Sequence, residues 1–149
     1  LVPSAPAQAP PALLEALGRA PIETRYAGES KQAGNFLAVF DSEKEVRELQ
    51  PDFAALARIE NAGVIVTAHG KNVDFVSRYF AVPFGIAEDP VTGSSHCTLT
   101  PYWAKRLGRK RLHAQQVSAR GGELFCELRP DRVEIAGRAV LYLDGTIHV

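Results

Sequence analysis

No methionine occurs in the 149 residues. A direct translation product that still carries its initiator is thereby excluded, and the chain is expected to be trimmed, processed or part of a longer polypeptide. Cysteine is nearly as scarce: Cys97 and Cys126 stand alone, with no CxxC pair. That excludes a disulfide framework and gives a zinc site no ligand set. Two isolated thiols suit a reducing compartment, so the cytoplasm is the expected location. No apolar run approaches the roughly 20 residues that a membrane-crossing helix needs, and the N-terminus lacks the basic start and apolar core of a secretion signal. No membrane partner is expected. Net charge is absent too, with 17 basic residues against 17 acidic ones. The basic residues are scattered except in residues 105–111 (KRLGRKR), which argues against a nucleic-acid partner. That cluster is expected to be a solvated helix end, where cations complement the negative pole of the dipole.

What is present is ordinary for a globular chain: 46% hydrophobic and 23% charged residues, enough for one domain with a buried core. Residues 1–11 (LVPSAPAQAPP) are rich in proline and alanine and predict an extended linker, leaving residues 12–149 as the domain. A short helix is expected over residues 12–17, closed by Gly18. Strands are expected over residues 23–26 and 35–40. Asp41 and Ser42 offer capping oxygens for a helix over residues 43–49, and Pro51 with Asp52 opens another through residue 58. Residues 63–68 (GVIVTA) have the β-branched content of a buried strand, and residues 73–82 continue in the same manner after a turn at residues 69–72. Beyond a central helix, strands are expected over residues 115–119, 123–128, 132–135 and 139–143, punctuated by Gly121 with Gly122, Pro130 with Asp131, and Asp144 with Gly145. Many short strands around one strong helix predict an α+β domain with a curved, mixed or antiparallel sheet wrapped around that helix.

Residues 88–97 (EDPVTGSSHC) gather acids, turn formers and hydroxyls just ahead of an apolar run of helical spacing. The first amides of a helix lack intrahelical partners, and the dipole adds positive character, so such an entrance can hold a carboxylate or phosphate without a basic side chain. The helix start is open between this segment and Thr100 with Pro101, because a proline inside the helix removes a hydrogen bond. The bland alternative is a turn followed by a cap.

Residues 88–103 (EDPVTGSSHCTLTPYW), followed by residues 116–122 (QVSARGG) and 132–140 (RVEIAGRAV), resemble the C-terminal half of the phenazine-biosynthesis PhzF-like family. Residues 63–68 and 74–80 (DFVSRYF) extend the likeness to nearly the whole domain. The resemblance implies a two-domain fold related to diaminopimelate epimerase, with each half wrapping strands around a helix and the site lying between the halves. It implies a cofactor-independent isomerase that moves a proton on a small carboxylic acid, with no metal. By position, Asp89 is implied to assist the proton chemistry, and Thr92, Gly93, Ser94 and Ser95 to line the substrate-binding entrance. The glutamate that the family uses as its main acid or base belongs to the N-terminal half, so neither Glu88 nor His69 inherits that role, and this chain alone is expected to be catalytically incomplete. The implied partners are the N-terminal half, the substrate and a second copy in a homodimer. The alternative function is a noncatalytic module for anion binding or assembly that retains the fold.

Each of these residues also has a structural alternative. Asp89 beside Pro90 suits an Asx turn, and Ser94 or Ser95 suits a helix cap. His96 and Cys97, as helix neighbours, point about 100° apart, which is poor geometry for activating a thiol. Cys97 is therefore expected to be a small buried hydrophobe and Cys126 a packing residue. Tyr102 and Trp103 are expected in the core. Arg120 is read either as reaching a cleft or as forming a structural ion pair. His69, His113 and His148 lack metal-ligand spacing.

Overall fold

The computed structural model describes residues 1–30 and 33–147, without the side chains of residues 29, 30 and 33. Its elements in chain order are β1 (Ala5–Pro6), α1 (Pro11–Leu17), β2 (Glu23–Ser30), β3 (Ala33–Val39), α2 (Glu43–Glu48), α3 (Phe53–Leu56), β4 (Ala62–His69), β5 (Phe75–Ala81), β6 (Ile86–Asp89), α4 (Gly93–Leu107), β7 (Arg111–Gln116), β8 (Gly122–Leu128) and β9 (Val133–Ala136). All strands join one mixed sheet in the order β1-β2-β3-β4-β5-β7-β8-β9, with β6 paired to β5 off that path. The α+β class and the sheet-and-helix architecture therefore agree with the sequence reading.

The short helices follow from their caps. Ser42 and Glu45 form a capping box that satisfies amides at both sides of the first turn of α2. Asp52 accepts from the amides of Ala54 at 2.8 Å and Ala55 at 3.1 Å to start α3. Gly18 and Gly108, both left-handed, end α1 and α4.

Strand β4 is buried along both faces, as residues 63–68 predict. Val64, Val66 and Ala68 join Leu13, Val46 and Leu56 in a core under α1–α3. Between them, Ile65 faces the other way, into a core with Leu37, Phe75, Leu99 and Trp103 under α4. Trp103 stacks on Phe75 at 5.8 Å between ring centroids, and its indole N–H donates to Thr67 Oγ1 at 3.0 Å. Tyr102, by contrast, is half-buried at the edge, donating to Glu23 Oε2.

Two parallel strand pairs, β3 with β4 and β5 with β7, are each bridged by helices, as parallel pairing requires a long crossover. The second crossover is unusual in that β6 also lies on the β5 edge. β6 pairs antiparallel with β5 at Tyr79↔Asp89, while β7 pairs parallel with the other end at Ser77↔Gln116. Strands β6 and β7 thus meet end to end along one edge, and the chain leaves the sheet between them to begin α4. Arg78 fastens this edge, with Nε and Nη2 on Glu88 at 2.7 and 2.9 Å and Nη1 on the Leu49 carbonyl at 2.7 Å.

Three local expectations change. The strand expected over residues 115–119 lies earlier, as β7 ends at Gln116 and Ser118 beyond it turns inward to bond the Pro90 carbonyl. Residues 139–143 are not a strand either. Val140, Leu141, Tyr142 and Leu143 are 79–98% exposed, and no ladder partner stands beside them among the described residues; propensity makes a strand only where a neighbouring strand completes the hydrogen bonds. Residues 5–6 of the proline-rich segment pair with Tyr26 and Arg25.

The helix start is settled at Gly93, with Pro101 inside α4. The missing Pro101 N–H would have served the Cys97 carbonyl, four residues back. That carbonyl instead accepts from the Val2 N–H at 3.0 Å, so the N-terminal segment replaces the bond that proline deletes.

Candidate functional site

At the break between β6 and β7, the Asp89–Gly93 turn is held mainly by hydrogen bonds from one side chain. Gln116 is fully buried. Its Oε1 accepts from the Thr92 backbone N–H at 2.8 Å, while its Nε2 donates to the Asp89 carbonyl at 2.6 Å and to Thr92 Oγ1 at 3.1 Å. Ser118 Oγ donates to the Pro90 carbonyl at 2.7 Å and accepts from the Gly121 N–H. Residues 116–122 therefore form a cradle for the turn.

Gly122 makes this cradle possible. A Cβ there would overlap the Val91 side chain, at 3.3 Å from its Cβ and closer still to its methyls. Gly122→Ala should destabilise the chain by about 2 kcal/mol through overpacking, and adding Val91→Ala should recover most of that loss; thermal denaturation of the single and double variants checks both.

Thr92 precedes the helix but does not cap it. Its hydroxyl donates to Asp89 Oδ2, and its carbonyl accepts from Ser95 Oγ at 2.9 Å and from His96 Nδ1 at 2.7 Å. A carbonyl only accepts, so His96 carries its proton on Nδ1, and Nε2 is a bare lone pair, buried with no partner among the described residues. Burial pushes the His96 pKa down to about 4, against a smaller upward pull from the Thr92 carbonyl. The imidazole is neutral at pH 7 and acts as a brace between the first turn and the residue ahead of it.

With Thr92 and Ser95 turned inward, the backbone N–H groups of Gly93, Ser94 and Ser95 find no acceptor among the described residues. Gly93 and Ser94 are exposed at the surface, whereas Thr92 and Ser95 are buried. The arrangement offers an anion a set of free amides at the positive pole of a 15-residue helix, with the half-buried Asp89 carboxylate alongside. It is an open face; grooves of about 480, 680 and 510 Å³ lie elsewhere, against β7–β9, between residues 7–12 and β2–β3, and between residues 3–4 and the C-terminal half of α4.

Among the described residues, no cluster of three or more His, Cys, Asp or Glu side chains is placed to hold a metal. His69 lies at the end of β4 beside Trp103, His113 bonds Glu123 at 2.7 Å, and His148 lies outside the described residues. Cys97 is half-buried rather than enclosed; Cys126 is buried, and burial raises its thiol pKa. Arg120 is exposed, with no ion pair among the described residues. Gln116 and Ser118 were not singled out by the sequence reading, although both fall in its residues 116–122, and His96 was weighed there only as a poorly placed neighbour of Cys97.

The phenazine biosynthesis-like protein family, PhzC-PhzF, matches residues 6–145. The chain belongs to this family. A curated relative from Pseudomonas aeruginosa, named an uncharacterized isomerase, is 53% identical over 137 residues, covering 92% of this chain and 51% of its own. A human phenazine biosynthesis-like domain-containing protein is 50% identical over 103 residues, 62% of this chain and 36% of its own. The crystal structure of a PhzF-family protein from Enterococcus faecalis superposes with a TM-score of 0.83 at 42% identity, covering 93% of this chain and 51% of that one. One from Clostridium difficile, a putative PhzC/PhzF protein by its own description, also gives 0.83, at 39% identity over 98% and 54% of the two chains. The chain spans about half the length of the curated relatives it matches most fully. In this PhzF-family chain, the free helix amides lie within the matched residues 6–145.

Proposed function

We propose that the chain supplies one face of a proton-transfer site in a PhzF-like isomerase acting on a small carboxylic acid, without a cofactor. The observation that carries this is the uncapped entrance of α4: Thr92 spends its side chain on Asp89 and leaves the Gly93, Ser94 and Ser95 amides free. Those amides hold the substrate carboxylate. Asp89, with one oxygen on Thr92 and the other available, orients an amine or exchanges a proton beside it. The complementary face comes from a second half of the kind that the longer relatives possess, and the site lies between the two. A cytoplasmic setting fits the two free thiols.

The test is solvent deuterium incorporation into a panel of amino and hydroxy acids by the complete gene product, followed by mass spectrometry. Asp89→Asn should slow exchange about tenfold or more while the fold, read by circular dichroism, stays intact. Unchanged exchange removes the role of Asp89. Binding without exchange on any acid favours the noncatalytic anion module.

A further inference from the structure

Beside Asp89, the sheet carries a polar strip that the proton-transfer site does not use. Tyr79 lies directly across from Asp89 in the β5–β6 ladder, so the two side chains project from the same face as close neighbours. The Asp89 charge and burial together raise the Tyr79 pKa, in keeping with that proximity, burial being the larger cause. From β5 the tyrosine ring leans across β4, and its hydroxyl donates to Asn35 Oδ1 on β3 at 2.9 Å.

The ring can take that path only because β4 carries no side chain beneath it. A Cβ at Gly63 would overlap the Tyr79 hydroxyl and stand 2.6 Å from Asn35 Oδ1. Gly63 has an ordinary backbone conformation with no positive φ, so the glycine is there for space. Tyr79 and Asn35 are both half-buried, hence reachable from the open face. The pair also leaves hydrogen-bonding capacity over: with Oδ1 taken by the phenol, Asn35 Nδ2 has two N–H donors and no acceptor among the described residues, and the Tyr79 oxygen keeps a lone pair.

We infer that Tyr79 and Asn35, seated over Gly63, are specificity-determining residues that bind a neutral oxygen substituent at the far end of the substrate from its carboxylate. The inference rests on the reading of the α4 entrance as the carboxylate site. Asn35 Nδ2 donates to the oxygen and the phenol accepts from it when it is a hydroxyl, while the Asp89 charge beside Tyr79 disfavours a second carboxylate at this end. An apolar group placed here leaves the amide donors unpaired, which is how a polar pocket rejects a methyl isostere.

Binding to the purified chain can be followed through the Gly93 and Ser94 amide signals in nitrogen–proton NMR. The probes are 4-hydroxybutyrate and 5-hydroxypentanoate against their methyl isosteres pentanoate and hexanoate. At least one hydroxy acid should bind about three- to tenfold tighter than its isostere. Tyr79→Phe should lower that ratio, because the phenol no longer accepts from the hydroxyl, and adding Asn35→Ala should bring it close to one. Gly63→Ala, which removes no polar atom but displaces the ring, should lower it as well; if it disturbs the sheet, the double variant decides. A ratio near one in the wild type, or a preference that survives in the Tyr79→Phe, Asn35→Ala double variant, overturns the assignment of this strip alone. If no acid shifts the Gly93 and Ser94 signals, the carboxylate reading falls and the strip falls with it.

Discussion

Replacing Gln116 with alanine should lower stability by about 4 kcal/mol and release the turn between Asp89 and Gly93. The magnitude follows from what the side chain does. It sits fully buried and satisfies the Thr92 N–H, the Asp89 carbonyl and the Thr92 hydroxyl at once. Two backbone groups left unpaired cost about 1–3 kcal/mol each, and the vacated volume adds a cavity term. Urea denaturation should show a lower midpoint at an unchanged slope, and the Thr92 amide should lose its protection from hydrogen exchange. A loss below about 1 kcal/mol in the alanine variant would mean that the turn is held by Ser118 and Pro90 instead.

A second large effect should appear with acid. His96 is neutral and buried in the native state, with its pKa at about 4 against 6.5 for the free side chain. Between those values the unfolded chain binds a proton that the folded chain refuses, so stability falls as pH drops. The stabilising contribution is complete above pH 6.5 and is lost progressively down to about pH 4, amounting to about 3 kcal/mol. Denaturation midpoints at pH 7, 5.5 and 4.5 should trace this slope, and His96→Leu should flatten it while losing the brace on Thr92. A wild-type slope no steeper than that of the leucine variant would place the acid sensitivity elsewhere.

The parts of this molecule that the sequence revealed are those governed by near neighbours. The Ser42 cap, the Gly18 stop and the doubly buried run at residues 63–68 each declare themselves within a few residues. The α4 entrance was legible through the signature in residues 88–97, although composition alone left it a turn with a cap. Gln116 was not legible as a keystone. Its partners lie 24 to 27 residues away, and they meet only because β6 and β7 divide one edge of β5, a fact of topology that no local period encodes. The same reasoning explains residues 139–143, whose alternation resembles a strand while strand formation depends on a partner elsewhere. Tyr79 read simply as a strand aromatic, since its path over Gly63 to Asn35 joins three strands that are distant in sequence.

The bond from the Val2 N–H to the Cys97 carbonyl gives the helix a debt to the opposite end of the chain. Local helix formation proceeds in nanoseconds to microseconds, but the carbonyl opposite Pro101 is satisfied only when the N-terminal segment has come back across α4. Closing so long a loop is entropically slow to repay. The helix whose entrance forms the candidate site should therefore reach its final hydrogen-bond complement only when the N-terminal segment has docked.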